Sequence, residues 1–307
     1  MTRLRIGLLG CGTVGGGFVR LVAAERDRIR TRYGLDLEIA RILVRDRDKP
    51  RAGVDPALLT TSALDVIDGD CDLIVEAIGG VHTAGTLVRR AIARGRSVVT
   101  ANKALLAVSG GELFRAAALR GVTIGFEASV CGGVPVVGAL RRGLAGDTIE
   151  SITGILNGTC NYVLSRMEQG VAYADAVAHA QERGFAEADP SLDLSGQDAA
   201  QKLRILAEVA FGAPVRREVV RGIGAKTRGR LIAEARRVAG GVELIVEPRR
   251  VDADHPFARV VDEQNAVLIR GRAVGDVFLS GRGAGSLPTA AALLSDVLER
   301  HRLFDSS

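Results

Sequence analysis

The chain has 307 residues, of which 47% are hydrophobic, so it can bury a large core, and its length predicts two domains. Its net charge of +5 arises from interspersed acidic and basic residues, and only 4% of its residues are aromatic, which argues against a nucleic-acid surface with stacking platforms. The four cysteines are widely spaced and form no CxxC pair, so neither a zinc site nor a disulfide framework is indicated.

The N-terminus has no signal-peptide layout, and no apolar run is long enough to span a bilayer. We therefore expect a soluble, cytoplasmic protein with reduced cysteines and with neither nucleic acid nor a membrane as a partner.

The first predicted element leads into a nucleotide-binding signature. Residues 5–9 predict a buried strand, and the following GCGTVGGG places Gly10, Gly12 and Gly15 in the GxGxxG spacing before a helical apolar stripe. The first glycine allows a tight turn, the second lets a pyrophosphate approach the backbone, and the third lets helix and strand pack closely. Because the motif has its required strand–turn–helix context, we favour a dinucleotide site, with phosphate at the helix N-terminus.

Strands and helices alternate through the rest of the first half. The strand-like segments are residues 37–44, 72–78, 97–100 and 122–127, and the clearest helical patterns between them are residues 83–93 and 112–120. This alternation predicts an α/β fold with a Rossmann-type, doubly wound parallel sheet.

The residues after the second strand bear on the choice of cofactor. An acidic residue at this point favours a free ribose, whereas an arginine suits a ribose phosphate. Arg45, helped by Lys49 or Arg51, therefore favours NADP, while Asp46 leaves NAD open. A solvated charge run in a loop is the alternative interpretation.

The second half contains an acidic cluster, GFAEADPSLDLSGQDAAQK, over residues 184–202. Asp198 and Lys202 are four residues apart, so they lie on one face of a helix. Carboxylates can hold an ammonium group, and a lysine can move a proton at a hydroxyl or carbonyl, so the cluster suits a small zwitterionic substrate. Two plainer interpretations stay open, a capping box from Ser195 to Asp198 and an ordinary surface ion pair between Asp198 and Lys202.

The remaining elements predict an α+β domain with its own sheet. Residues 242–248, 267–270 and 277–279 read as strands, and residues 289–302 read as a final helix. We expect residues 1–128 to form a dinucleotide-binding domain, with a C-terminal helix at 286–307 packing back on it. Residues 129–285 are then a substrate-binding and dimerisation domain.

Six motifs in order give the sequence a family resemblance over nearly its whole length. It resembles homoserine dehydrogenase in GCGTVGGG, VVTANKALLA, FEASVCGGVPVV, GILNGTCNYVLSRM, GFAEADPSLDLSGQDAAQKLRILAEVAFG and NAVLIRG…VGDVFLSGRGAGSLPTAAALLSDVL. The resemblance implies an NAD(P)-dependent enzyme of threonine and methionine biosynthesis that interconverts L-homoserine and L-aspartate 4-semialdehyde. It also implies a homodimer.

Site residues follow from the resemblance motif by motif. Lys202 resembles the proton donor for the carbonyl oxygen during aldehyde reduction, and Lys103 resembles a second active-site lysine between nicotinamide and substrate. The positions that match substrate-binding residues are Glu187, Asp193, Asp198, Gly158 and Thr159. The positions that match cofactor contacts, together with the glycine motif, are Gly10, Gly12, Thr13, Val14, Gly15, Arg45, Lys103, Gly184 and Gly285.

Two nearby lysines can stabilise an alkoxide that develops during reduction. Their mutual repulsion is expected to help lower a lysine pKa, although the neighbouring acids oppose this.

The FEASVCGGVPVV segment resembles a loop that binds a monovalent cation such as sodium through backbone carbonyls. The matching positions are Glu127, Val130, Gly132 and Val134. Hard cations prefer oxygen ligands, so a carbonyl cage is chemically sensible. A glycine-rich hinge between domains is an equal alternative, and Cys131 within the segment is expected to be a small buried residue.

Two departures from the family pattern stand out. The chain ends soon after the last helix, so we expect no C-terminal regulatory domain and no threonine control through one. The segment between residues 211 and 242 looks shorter than usual by about one helix. A dehydrogenase of another amino-acid aldehyde or ketone, or a silent paralogue that binds NADP or homoserine, therefore stays open.

Overall fold

The computed structural model describes residues 1–304, with side chains as far as His301. The predicted C-terminal helix extended to residue 307, so its last three residues lie outside the described range. The chain divides into two compact units, one of residues 1–129 and 285–307 and the other of residues 130–284.

The first unit is built on a six-stranded parallel sheet. Its strands are β1 (Thr2–Leu9), β2 (Leu35–Leu43), β3 (Leu59–Thr60), β4 (Leu73–Glu76), β5 (Ser97–Thr100) and β6 (Ile124–Gly125). Its helices in chain order are α1 (Thr13–Ala24), α2 (Arg26–Tyr33), α3 (Ala63–Ile67), α4 (His82–Ala93) and α5 (Lys103–Leu119). The strand order β3-β2-β1-β4-β5-β6 reverses direction at β1, which confirms the predicted doubly wound sheet.

Apolar side chains of the central strands form the core of this unit. Ile6 and Leu8 of β1 and Phe18 of α1 are fully buried in it. Leu293 of the C-terminal helix, Ser286–Phe304, belongs to the same cluster. Close approach of this helix requires a glycine at position 17, because a Cβ there would lie 2.3 Å from the Ser286 hydroxyl.

Two predicted elements of the first unit differ from the observed ones. The strand predicted over residues 122–127 is formed only by Ile124 and Gly125, because Glu127 already begins a 3₁₀ turn. The helix predicted over residues 112–120 begins nine residues earlier, at Lys103. Strand β3 and helices α2 and α3 were not predicted. The sequence of α2, RDRIRTRY, is almost entirely polar and buries only Ile29.

The second unit contains a mixed six-stranded sheet. Its helices are α6 (Val136–Gly138), α7 (Gly158–Glu168), α8 (Tyr173–Glu182), α9 (Ser191–Leu194) and α10 (Gln197–Phe211), so the C-terminal helix is α11. Its strands are β7 (Ile149–Ile155), β8 (Val215–Val220), β9 (Arg230–Val238), β10 (Gly241–Arg249), β11 (Gln264–Gly271) and β12 (Gly275–Arg282). They lie in the order β12-β11-β7-β9-β10-β8, and only β8 and β10 pair in parallel.

The sheet of the second unit supports α7 and α10. The buried face of α10 includes Leu203 and Leu206, as its apolar stripe predicted. Strand β7 leads directly into α7, and α10 follows the short helix α9 through Gly196. Within residues 1–304, no helix has both the length and the apolar character needed to cross a bilayer.

Candidate active site

The turn between β1 and α1 has the geometry of a phosphate cradle. Gly10 has a φ of +97°, which a side chain disfavours. A Cβ on Gly15 would lie only 2.1 Å from the Gly10 carbonyl oxygen, so the turn and the helix can meet only through glycine. A Cβ on Gly12 would meet no atom within 4 Å, which leaves space for a ligand beside the backbone.

A cavity of about 1290 Å³ lies over this turn. Gly10, Gly12 and Thr13 line it on one side, and Gly79 and Gly80 line it on another. Two other sequence-predicted cofactor positions lie beneath the turn: Gly15 is buried, and Val14 packs against the core of the unit. Gly285, with a φ of +114°, directly precedes α11.

Charged residues after β2 line the same cavity. The basic residues among them are Arg45, Lys49 and Arg51. The cavity is also lined by Arg20 of α1, which the sequence analysis did not select. The carboxylate of Asp46 accepts hydrogen bonds from the backbone N–H groups of Asp48 and Lys49, at 2.9 and 3.3 Å. Asp46 therefore closes its own turn, and both it and the exposed Arg45 line the cavity.

A buried carboxylate joins the ends of β4 and β5. Glu76 is 0% exposed; its Oε1 accepts from the backbone N–H of Ile78 at 2.8 Å and of Gly79 at 3.1 Å. Its Oε2 accepts from the Thr100 hydroxyl at 2.5 Å. Glu76 thus shapes the loop that lines the cavity. Sequence reasoning missed it, although a single acid ending the apolar run LIVE was an available signal.

Lys103 occupies the first position of α5, directly after this network. Asn102 caps the helix, since its Oδ1 accepts from the Leu105 N–H at 3.0 Å, and its Nδ2 donates to the Gly80 carbonyl at 2.7 Å. The half-buried Lys103 therefore begins a helix whose first turn is tied to the cavity loop.

In the second unit, Lys202 and Asp198 form a buried ion pair. They are 9% and 4% exposed, and Lys202 Nζ lies 2.8 Å from Asp198 Oδ2. The ammonium also donates to the Leu156 carbonyl at 2.7 Å, at the end of β7. The interpretation of these residues as an ordinary surface pair is wrong.

The capping-box interpretation is also wrong. The N-cap of α10 is Gly196, with a φ of +82° and no side-chain cap. The Ser195 hydroxyl donates instead to the Leu192 carbonyl at 3.2 Å. Helix α10 therefore begins one residue later than a capping box requires, and Asp198 faces Lys202.

Asp193 joins the cluster through the turn between β7 and α7. Asn157 Nδ2 donates to Asp193 Oδ1 and to Asp198 Oδ2, each at 2.7 Å. The Thr159 hydroxyl lies 2.6 Å from the Phe185 carbonyl and 3.2 Å from Asp193 Oδ2. Three separate segments thus bring two carboxylates and one ammonium together, and the sequence analysis had not selected Asn157.

The electrostatics of the cluster decide between two opposing effects on the pKa of Lys202. Burial by itself lowers the pKa of Lys202, but the charge and hydrogen bond of Asp198 outweigh it, so the pKa lies above the ordinary value. Repulsion between two lysines was expected to help lower a lysine pKa, with the neighbouring acids opposing it. At Lys202 the effect of the acids is the larger one. Burial, and next the charge of Asp198, raise the pKa of Asp193.

Three other predicted residues belong to chain segments that adjoin this cluster in sequence. Glu187 is exposed in the loop between α8 and α9, and only its carbonyl, not its carboxylate, has a described partner, Gln181. Gly184 is exposed, with a φ of +72°, at the end of α8. Gly158 is a glycine for steric reasons, because a Cβ there would lie 2.6 Å from the Glu263 carbonyl oxygen.

The segment with the predicted cation ligands runs from the first unit into the second. Glu127 is buried in a 3₁₀ turn of the first unit. Val130, Gly132 and Val134 belong to the second unit, where Cys131 and Gly132 both have positive φ values, +54° and +39°. Cys131 is buried, as expected. No group of three or more His, Cys, Asp or Glu side chains within the described residues could hold a metal ion.

Comparisons with known proteins assign both units to one family. The family model described as homoserine dehydrogenase matches residues 135–298, and the one described as homoserine dehydrogenase, NAD binding domain, matches residues 10–127. Homoserine dehydrogenases of Pseudomonas aeruginosa and Corynebacterium glutamicum are 40% and 42% identical to this chain. The matches cover 100% and 95% of this chain, and 74% and 71% of those proteins.

Solved structures give the same result. A homoserine dehydrogenase from Thiobacillus denitrificans superposes with a TM-score of 0.95 at 42% identity, covering 100% of this chain and 75% of that one. A hyperthermophilic archaeal homoserine dehydrogenase in complex with NADPH superposes with a TM-score of 0.88 at 28% identity, over 99% of both chains.

Proposed function

The chain belongs to the homoserine dehydrogenase family, and we propose that the cluster around Lys202 is where it binds and positions its substrate. The family activity is the NAD(P)-dependent interconversion of L-homoserine and L-aspartate 4-semialdehyde in amino-acid biosynthesis. The proposal is carried by one observation: the buried Asp198 and the half-buried Asp193 share the Asn157 amide, and a single buried ammonium, that of Lys202, pairs with Asp198. When both carboxylates are ionised the cluster has an excess negative charge, which the α-ammonium group of homoserine can balance.

Lys202 acts in this proposal as an ammonium group. Asp198 and the Leu156 carbonyl engage two of its N–H bonds, which leaves the third for the substrate oxygen. During aldehyde reduction this group stabilises the negative charge that develops on the carbonyl oxygen and donates a proton to it. Homoserine oxidation is the reverse of this step: the neutral amine of Lys202 accepts the proton of the substrate hydroxyl as the hydride leaves the carbon.

The first unit fits a dinucleotide. The glycine turn leaves space beside Gly12 for a pyrophosphate, and the N-terminus of α1 supplies unpaired N–H groups for it. When bound, the nicotinamide exchanges a hydride with the substrate carbon. We propose that Glu76 fixes the loop beside which the dinucleotide lies, and that Lys103 is a second catalytic lysine, as the sequence resemblance implies.

NADP is the cofactor that the charges around the cavity favour. Arg45 lines the cavity without a described ion-pair partner, and Arg20, Lys49 and Arg51 add to the positive charge there. The Asp46 carboxylate also lines the cavity, but one of its oxygens, Oδ1, accepts two N–H groups of its own turn, and the basic residues around it outnumber it. A guanidinium group can bind a ribose phosphate through two parallel hydrogen bonds.

The functional test measures the reduction of NADP or NAD by L-homoserine, which is monitored through the absorbance of the reduced nicotinamide. L-Serine and L-threonine are the comparison substrates, because each is an amino-acid alcohol of different length or branching. Turnover with homoserine supports the proposal. A protein that binds the cofactor but turns over none of the three would contradict it.

Sodium binding and dimerisation are two further parts of the proposal. The positive φ values of Cys131 and Gly132 support a tight loop whose carbonyls bind sodium, as the sequence resemblance implies. The test compares the activity of the protein in sodium chloride with its activity in the chloride of a bulky organic cation.

A homodimer is supported by the exposed edge strand β12, where Phe278 is 37% exposed. Light scattering after gel filtration measures the mass directly. The cytoplasmic location remains a prediction.

A further inference from the structure

The side chain of Asn157 connects the groups that the proposed function uses, although it is not itself one of them. Its Oδ1 accepts the Cys160 N–H at 2.7 Å and so caps α7. This bond fixes the orientation of the amide, because the oxygen must face the helix and the nitrogen must face away from it. Asn157 is 3% exposed, so water cannot easily replace the hydrogen bonds of its amide oxygen and nitrogen.

Both N–H bonds of this amide are used by carboxylates. One reaches Asp193 Oδ1 and the other reaches Asp198 Oδ2, each at 2.7 Å. The Thr159 hydroxyl has only one proton and lies closer to the Phe185 carbonyl than to Asp193. Among the described side chains, Asn157 is therefore the one neutral donor that both carboxylates share.

Holding the two carboxylates together is electrostatically costly. Like charges at short distance in a buried site disfavour simultaneous ionisation. The only ammonium in the cluster, that of Lys202, bonds to Asp198 but is not bonded to Asp193. Hydrogen bonds from a neutral amide to ionised carboxylates reduce this cost, because bonds to charged acceptors are stronger than neutral ones.

We propose that Asn157 is a positioning residue for the reaction, whose amide holds Asp193 beside Asp198 and thereby keeps the Lys202 ammonium fixed against the Leu156 carbonyl. Leu156 and Asn157 are consecutive residues, so one turn of the chain holds both the cation and its counter-charges. The inference rests on the proposed roles of Lys202 and Asp198, and it adds the residue on which their geometry depends.

A helix cap alone does not require an amide at this position. Serine, threonine and aspartate cap helices about as well as asparagine does. None of these three can offer two N–H donors, so they keep the capping oxygen and lose the connection to the carboxylates. This difference allows the structural role and the positioning role to be separated by substitution.

The test compares Asn157→Ser with a matched control, Asn161→Ser, in the full-length protein. Asn161 lies one turn later in α7, and its Nδ2 donates to the backbone carbonyls of Val260 and Asp262 and does not contact the carboxylates. Both variants lose buried amide contacts. Only Asn157→Ser is expected to change the chemistry of the cluster.

We expect Asn157→Ser to lower kcat/KM for L-homoserine by roughly ten- to a hundredfold, the scale for losing one charge-assisted contact. The KM for NADP should not change. The acidic limb of the kcat/KM profile should move to higher pH by roughly one unit, because ionised carboxylates lose their donor. Asp193, Asp198, Lys202 and Cys160 are the titratable groups around this amide, and Cys131 lies near Lys202; burial keeps the Cys160 thiol neutral by raising its pKa.

Asn161→Ser should lower the melting temperature and leave the acidic limb where it is in wild type. Asn157→Asp should lower kcat/KM further than Asn157→Ser, since it adds a third carboxylate; if it does not fold, Asn157→Ser alone decides. The inference is overturned if Asn157→Ser keeps kcat/KM within twofold of wild type, or if its acidic limb does not move. A wild-type protein without homoserine turnover would instead contradict the proposed function.

Discussion

Lys202 is the residue whose removal tests the proposed chemistry most directly. We expect Lys202→Met to lower kcat by roughly 10²- to 10⁴-fold, the usual contribution of a residue that moves a proton in the transition state. Methionine fills a similar length of side chain, so packing around the buried stem is largely kept. Steady-state kinetics in both directions, at fixed salt concentration and pH, supply the measurement.

The structure also sets the cost to stability. Removing the ammonium leaves Asp198 buried beside Asp193 without its cation, and breaking a buried pair from one side costs about 3–5 kcal/mol. The double variant Asp198→Asn/Lys202→Met removes both charges. It should recover part of the lost free energy of unfolding, measured with urea, and recover none of the activity.

The raised pKa of Lys202 adds a pH criterion. Because the folded pKa lies above the ordinary value of 10.5, the stabilising charge is fully present below 10.5 and is lost only as pH rises through the folded pKa. No ionisation of Lys202 should therefore appear in the pH profile of kcat for aldehyde reduction between pH 7 and about 10, the range below that value. A Lys202→Met protein within a few-fold of wild-type kcat would refute the assigned role.

Three further predictions concern single substitutions elsewhere. Arg45→Ala should raise the KM for NADP by roughly ten- to a hundredfold and leave the KM for NAD nearly unchanged. If the ratio of kcat/KM for NADP to kcat/KM for NAD is the same in the variant as in wild type, the proposed preference for NADP is contradicted. Glu187→Gln should raise the KM for homoserine at constant kcat, whereas the exposed Glu182→Gln serves as the control and should match wild type. Hydrogen bonds from Arg30 and Arg26 lower the pKa of Asp36 to about 2, so its contribution to stability is present above pH 3.8 and lost as pH falls through about 2. Asp36→Asn should therefore lower the urea midpoint at pH 7, and a midpoint unaffected by this substitution would contradict the ion pair.

Local patterns in the sequence predicted the first unit well. The strand at residues 97–100 was predicted at its observed bounds, and the GxGxxG glycines make the close contacts that their spacing implies. These features depend on neighbours within a few residues, so a single sequence contains them. The helix spacing of Asp198 and Lys202 was also sufficient to predict that they pair.

Long-range contacts were not predictable in the same way. Asn157 acquires its role only because the β7–α7 turn meets α9 and α10, whose residues lie more than thirty positions away. The direction of the pKa shift of Lys202 could not be settled from the sequence for the same reason, since it depends on how closely carboxylates face the ammonium after folding. Strand β7 was missed because its partners in the sheet, β9 and β11, are distant in the chain. Strands β8 and β9 were missed although their partner, β10, lies near in the chain.

The excess negative charge of the Asp193–Asp198–Lys202 cluster connects its cost to folding stability with its selectivity for an ammonium-bearing substrate. A cluster that buries Asp198 and half-buries Asp193 against one ammonium is often no more favourable than apolar residues of the same volume. Such a cost is typical of residues retained for function rather than for folding. A plain alcohol would leave the excess negative charge of Asp193 and Asp198 uncompensated, whereas an amino alcohol brings the missing cation with it. The arrangement that destabilises the unliganded protein thus favours a substrate with an ammonium group, and Asn157 keeps that arrangement in place until the substrate binds.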